Sequence, residues 1–370
     1  IPAKHKFAPT ELKREEQVRL YGVLVGETTQ KILPGERIRQ SNVIHRAEDY
    51  RSSEDLFSWE PPCIANWKNR TFNGYSRSDG CVGTANYWLV VPMVFCENGN
   101  IETLKSSMLR ALGLSKRNQY EIFSQLLADA YSRGDNSDSV SFPKEINHES
   151  SPIFPNVDGI KFLTHGLGCG ETRGISEELC GLLAGYACNP NVSGITVLSL
   201  GCQHAQVSIM EDEIAKRCPN FDKPFLVFEQ QKYHSEREMM EQAIRQTYAG
   251  LSQINELKRT PAPLSKLCLG MECGASDGFS GISANPAMGY TADLLTAMNG
   301  KVILSEFPEL CGVEQEIVNR CTTPKIGNRF IEIMRNYELR VKEAGSGFHM
   351  NPSPGNVKDG LITDAMKSAG

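Results

Sequence analysis

From about residue 158 onward, short apolar runs alternate with helical patterns. Residues 159–164 (GIKFLT), 194–200 (GITVLSL), 224–228, 267–271 and 301–304 read as strands. Helical spacing fills the intervals at 175–188, up to Arg217, at about 234–257 and up to Met298, with further helices at about 312–321 and 326–343. Strands that alternate with helices need crossovers. The expected class is therefore α/β, with mostly parallel sheets, flanking helices and right-handed connections. In such sheets ligands sit beyond the C-terminal ends of the strands, so the residues that follow each strand carry the functional information.

Three of those strand ends place a cysteine among glycines. The first is HGLGCGETR at 165–173, with His165 and Cys169. The second is GCQH at 201–204, with Cys202 and His204. The third is MECGASDGFSGISANP at 271–286, with Cys273, Ser276, Asp277, Ser280 and Asn285. The third loop is more than twice the usual length of about 2–6 residues. Asn285 is a candidate helix cap there, and Pro286 fits the first turn. A fourth strand ends at Glu306. If the three loops share one edge, thiolate, imidazole and carboxylate converge as soft and hard metal ligands. Direct iron binding, an iron–sulfur cluster and a purely shaping role for the thiols are all open on this reading. A His165–Cys169 nucleophile pair is the weaker alternative, because no third group orients it.

The remaining composition narrows the class. At 370 residues the chain has room for two or three domains, and a net charge of −5 with no basic run gives no reason to expect nucleic acid. No apolar run has the length of a membrane span. Twelve scattered cysteines without a CxxC pair suggest reduced thiols and a cytoplasmic protein. There is no P-loop and no HExxH. The chain starts at Ile1 and stops in DAMKSAG, which reads as a piece of a longer sequence.

Residues 1–50 read as a small β-rich unit without enough apolar residues for its own core, with 18–26 (VRLYGVLVG) as one strand and 37–43 as another. Residues 51–70 read as a linker. GYSRSDGCVGTAN at 74–86 then feeds the apolar strand 87–95, and Arg77 and Asp79 are placed to meet an anionic, hydroxylated substrate or each other. Helices are expected at 101–114 and 117–132, and an exposed insertion at 133–157.

GYSRSDGCVGTANYWLVVP, HGLGCGETR, VLSLGCQ, FEQQ, KLCLGMECGASDGFSGISANPAMG, LSEFPELCGVEQ and GFHMNPSPGN together resemble the altronate and galactarate dehydratases. The (R)-sulfolactate sulfo-lyase large subunit belongs to the same group. The resemblance runs from about residue 70 to the end, and residues 1–45 resemble the second half of the small β-clip (SAF) domain of these enzymes. It implies a partial β-clip domain at 1–50, a linker at 51–70, a first α/β dehydratase domain at 71–260 and a second at 261–370 that continues in the family. Leu167 departs from the Gly or Asn common at that place.

The resemblance implies loss of water from a sugar acid, altronate before galactarate, to give a 2-keto-3-deoxy acid. It implies a divalent metal, iron(II) first and manganese(II) second. In that reading His165, Cys169, Cys202, Cys273 and Glu306 surround the metal, and Arg77 holds the carboxylate. Ser276, Asp277, Ser280 and Asn285 hold substrate hydroxyls. His165, His204, Asp277 and His349 are candidates for the acid and base. The expected partners are the sugar acid and further copies of the chain, with no nucleic acid and no membrane.

Overall fold

The computed structural model describes residues 1–46, 59–114, 119–143, 151–274, 277–348 and 352–369. Ser276 and His349, both expected at the site, lie outside these residues. The chain divides into two units: one is formed by 1–70 with 263–370, the other by 71–262.

The first unit begins with a three-stranded antiparallel sheet, β1 (Gln17–Leu20), β2 (Val23–Thr28) and β3 (Val43–Ile44), in that order. The run 18–26, expected as one strand, is a hairpin. Tyr21 and Gly22 both have positive φ (52° and 84°), the backbone that a tight primed turn requires. The stretch 37–43 forms only an isolated bridge from Arg37 to Phe7 before β3. The N-terminal segment has few buried apolar residues of its own. Ala8, Val25, Ile32, Ile38 and Val43 complete their core with Leu361, Ile362, Ala365 and Met366, more than 300 residues later in the chain.

The second unit opens with β4 (Thr71–Ser76), β5 (Val82–Gly83) and β6 (Tyr87–Pro92). Helices α1 (Asn98–Ala111) and α2 (Gln119–Arg133) follow, then β7 (Gly159–Phe162), α3 (Arg173–Cys188), β8 (Val192–Ser199), α4 (Val207–Arg217), β9 (Phe225–Glu229), α5 (Glu236–Ile254) and β10 (Thr260–Pro263). Strand β10 pairs in a small sheet of order β10-β4-β5. The main sheet has the order β7-β6-β8-β9, and every pairing is parallel.

Side chains on β6 alternate between its two faces. Trp88 and Val90 pack with Ile101, Leu104 and Met108 of α1 and with Met239, Ala243 and Leu251 of α5. Leu89 and Val91 pack with Leu179 and Leu183 of α3 and Met210 and Ile214 of α4. Strand β8, covered on both faces, is buried along its whole length, its Ser193, Thr196 and Ser199 included, as a parallel strand with helices on both sides should be. The Trp88 ring lies so close to Gly194 of β8 and Gly250 of α5 that a Cβ at either would come within 3.0 Å of it. Its indole Nε1 donates to Thr196 Oγ1 at 2.9 Å, and Thr196 bonds Thr247 at 2.7 Å.

The rest of the first unit holds β11 (Cys268–Met271), α6 (Ala284–Ala297), β12 (Lys301–Leu304), α7 (Glu314–Asn319), α8 (Pro324–Glu343), α9 (Pro354–Lys358) and α10 (Ala365–Ser368). Strands β11 and β12 pair in parallel as a separate two-stranded sheet. The three cysteine loops therefore do not share one sheet: Cys169 and Cys202 follow β7 and β8, whereas Cys273 follows β11. The cap of α6 is Ser283, not Asn285, which lies one residue inside the helix.

Candidate functional site

In the second unit the chain leaves β6 toward β7 on one side and leaves β8 toward β9 on the other. The point where strand order reverses is thus between β6 and β8, and crevices for ligands open there, beyond the carboxyl ends. The loop after β7 covers this place. Phe95 N donates to Leu167 O at 2.9 Å, and His204 N donates to Gly168 O at 2.9 Å, so the loops after β6, β7 and β8 are joined by backbone hydrogen bonds. Gly168 has φ +113°, and a Cβ there would collide with the Met93 carbonyl; Gly201 has φ +110°. Both positions require glycine.

Cys169, Cys202 and His204 are exposed at this edge. His165 is held more firmly. Its Nδ1 accepts from Leu167 N at 3.2 Å, which leaves Nε2–H to donate to Pro92 O at 2.8 Å. Both ring nitrogens are therefore engaged, and metal ligation or proton transfer by His165 would first break one of these bonds. Glu171, which sequence reasoning passed over, organises the cysteine loop. Its carboxylate accepts from Gly168 N (2.6 Å), Cys169 N (3.1 Å) and Ser176 Oγ (2.7 Å). The hydroxyl of Ser176 and these amides hold its pKa below the ordinary carboxylate value. An acid two residues after a cysteine in a glycine-rich turn was the available signal.

Glu97, at the end of the loop after β6, was also missed. It is 1% exposed; Asn100 Nδ2 donates to its Oε2 at 2.8 Å, and its Oε1 has no hydrogen-bond partner among the described residues. Burial raises its pKa. Arg77 spends its guanidinium inside the unit, donating to Pro190 O at 2.8 Å and Ala85 O at 3.2 Å.

In the first unit Cys273, Asn285 and Glu306 line one cavity of about 320 Å³, together with Ser305, Glu309 and Lys367. Asn285 Nδ2 reaches both Cys273 Sγ (3.8 Å) and Lys367 O (3.1 Å). Glu306 has a left-handed backbone, φ +57°, which is uncommon for a residue with a side chain. Burial and the charges of Glu309 and Glu272 raise its pKa. Lys367 is the anchor that sequence alone did not disclose. Only 2% of its side chain is exposed, and Nζ lies 2.7 Å from Glu309 and 3.5 Å from Asp364. Burial acts to lower its pKa, but the hydrogen bond to Glu309 and the charges of Asp364 and Glu309 outweigh it and hold the pKa above the ordinary value. Asp277 and Ser280 are not brought to this cavity. Asp277 pairs with Lys4 at 2.8 Å and accepts from the amides of Phe279 and Ser280, and Ser280 Oγ donates to Asp277 O.

Among the described residues, no three His, Cys, Asp or Glu side chains gather into a metal-binding group. The donor set expected from sequence does not fit a metal within either unit as it stands. None of the twelve cysteines forms a disulfide, and no helix among the described residues is long and apolar enough to cross a membrane.

A parallel α/β unit with linked loops at its reversal point, and another unit with a cavity beside the end of a parallel strand pair, define the class: a mixed α/β protein with mostly parallel sheets and flanking helices. The chain belongs to the D-galactarate/altronate dehydratase family. Residues 74–255 match the family model "D-galactarate dehydratase/Altronate hydrolase, second domain", and 264–370 match "D-galactarate/Altronate dehydratase, C-terminal". It is 28% identical over 380 residues to altronate dehydratase of Bacillus subtilis, covering 100% of this chain and 65% of the relative. It is 26% identical to altronate dehydratase of Escherichia coli (99% and 65%) and 27% identical to galactarate dehydratase (L-threo-forming) of the same organism (100% and 64%). The chain thus spans somewhat less than two thirds of these relatives' length.

Proposed function

We propose that the protein takes part in dehydrating a sugar acid, D-altronate to 2-keto-3-deoxy-D-gluconate plus water, as a cytoplasmic hydro-lyase of hexuronate catabolism. The observation that carries the reading is the tandem match of both family models together with the alignment to altronate dehydratases along the whole chain. The near-equal identity to galactarate dehydratase supports a second reading, a diacid substrate.

The reaction removes a proton alpha to a carboxylate and expels a hydroxyl as water, so it needs a base, an acid and a clamp on the hydroxyls. His204 and the thiols of Cys169 and Cys202 are the exposed groups at the reversal point. Glu171 fixes the amides that orient Cys169. In the first unit, Asn285 and Ser305 offer hydrogen bonds to hydroxyls, and Glu306 offers a carboxylate with a raised proton affinity. A divalent metal, iron(II) before manganese(II), remains part of the proposal, as do copies of the chain as partners. Among the described residues no three His, Cys, Asp or Glu side chains gather to hold a metal, so the roles given above to the chain's own residues do not depend on it.

The test combines metal analysis of anaerobically purified protein with formation of 2-keto-3-deoxy acid from altronate and from galactarate. Cys169→Ser, Cys202→Ser and Cys273→Ser are measured beside the parent chain. Turnover of altronate with loss in these variants supports the reading. Sugar-acid binding without turnover of either substrate would replace it with a binding role.

A further inference from the structure

Part of the first unit's cavity is built by the opposite end of the chain. Tyr21 and Val23, from the β1–β2 hairpin, line it together with Cys273, Asn285, Ser305 and Lys367. The N-terminal segment also grips the loop that leads into α6, at three places. Lys4 Nζ pairs with Asp277 at 2.8 Å, Lys6 Nζ donates to Gly278 O, and the Tyr21 hydroxyl donates to Gly281 O at 3.2 Å. The C-terminal segment holds the same loop. Gly278 N donates to Asp359 O at 3.1 Å, and a Cβ on Gly281 would collide with Met366 O. Four residues after Gly281, Asn285 reaches Cys273 Sγ and Lys367 O. Tyr21 is also an unusual residue for its own backbone. Its φ is 52°, and the first position of such a turn favours Asn or Gly; a bulky side chain there is an outlier. Outliers of this kind point from strain to function. Lining the cavity while 56% exposed, Tyr21 stands at its mouth.

We propose that Tyr21 is a binding residue for a polyhydroxylated ligand of this cavity, an inference that rests on the reading above in which the cavity takes the hydroxyls of the sugar acid. The phenolic O–H is spent on Gly281 O, so the oxygen is left as an acceptor for a ligand hydroxyl. The ring offers an apolar face to the carbon chain of the ligand. The bond to Gly281 ties the entry of α6, and with it Asn285, to the hairpin tip. The ring at the mouth also narrows the approach to the half-buried Cys273. The hairpin thus contributes to a site whose other walls lie some 250 residues later in the chain.

The test follows alkylation of Cys273 by iodoacetamide in the reduced full chain, read by peptide mass spectrometry with Cys63 as the exposed control, while altronate or galactarate is titrated in. Tyr21→Asn removes the ring but leaves Asn-Gly, the preferred pair for this turn, so it should melt no lower than the parent. Loss of the ring is thereby separated from loss of the fold. Without ligand, Cys273 in Tyr21→Asn is expected to label several-fold faster, with Cys63 unchanged. The sugar-acid concentration that half-protects Cys273 should rise roughly tenfold in Tyr21→Asn and several-fold in Tyr21→Phe, which keeps the ring and loses the hydroxyl. An unchanged half-protecting concentration in Tyr21→Asn, with the parent protected, would overturn this proposal alone. An unchanged labelling rate without ligand would overturn the place of the ring at the mouth. If neither sugar acid protects Cys273 in the parent, the reading of the cavity as the sugar-acid site falls, and this proposal with it.

Discussion

Gly250→Ala places two effects of opposite sign at one atom. In a helix interior, alanine is favoured over glycine by about 1 kcal/mol. At 250, however, the new methyl would stand within 3.0 Å of the Trp88 ring. The ring is fully buried, is tethered through Nε1 to Thr196, and has Gly194 against it as well as Gly250, so it has nowhere to retreat. Overpacking of a closed core costs roughly 1–3 kcal/mol, and so little freedom puts the cost at the upper end. The expected net loss is about 1–2 kcal/mol after the helix gain is subtracted. A unit of this size should then lose roughly 2–8 °C in melting temperature. Gly185→Ala in α3 is the control, since nothing lies within 4 Å of its added Cβ. It should gain about 0.5–1 kcal/mol and melt higher. Thermal unfolding followed by circular dichroism compares the two. Equal stabilisation by both substitutions would refute the argument that the tryptophan requires glycine beside it.

Three further outcomes follow from the sites. Lys367→Met leaves the Glu309 and Asp364 carboxylates without their cation. Breaking a buried pair costs about 3–5 kcal/mol, and since Glu309 keeps 22% exposure the expected loss is about 2–4 kcal/mol, read by denaturant unfolding. Glu97→Gln tests burial of a carboxyl. Its folded pKa lies above the unfolded reference of 4.5, so the ionised form carries a penalty that is absent below that value and complete above the raised one. The variant should therefore be the more stable at pH 8, and the difference should close as pH falls; a constant difference would remove the ionisation argument. Glu171→Ala releases the amides of Gly168 and Cys169, and thiol labelling of Cys169 should change in rate while labelling of Cys63 does not.

Much of the architecture was legible because it follows local periodicity. The apolar runs before Cys169, Cys202 and Cys273 are strands, and the long pattern before residue 257 is α5. The hairpin at Tyr21-Gly22 was hidden because its turn breaks no hydrophobic run. Asn285 looked like a cap by residue type, yet Ser283 has the non-helical backbone, and Asn285 instead bonds the carbonyl of a residue 82 positions away.

The sequence by itself determined the alternation of strands and helices, the glycine turns and the chemistry available at each strand end, because these depend on neighbours a few positions apart. Only the tertiary structure decided which ends share a sheet. It put Cys169 and Cys202 at one edge and Cys273 in another unit, closed the N-terminal core with residues 361–366, and buried Lys367 between two acids. Those outcomes depend on burial and on pairings between distant segments, whose energies no local pattern records.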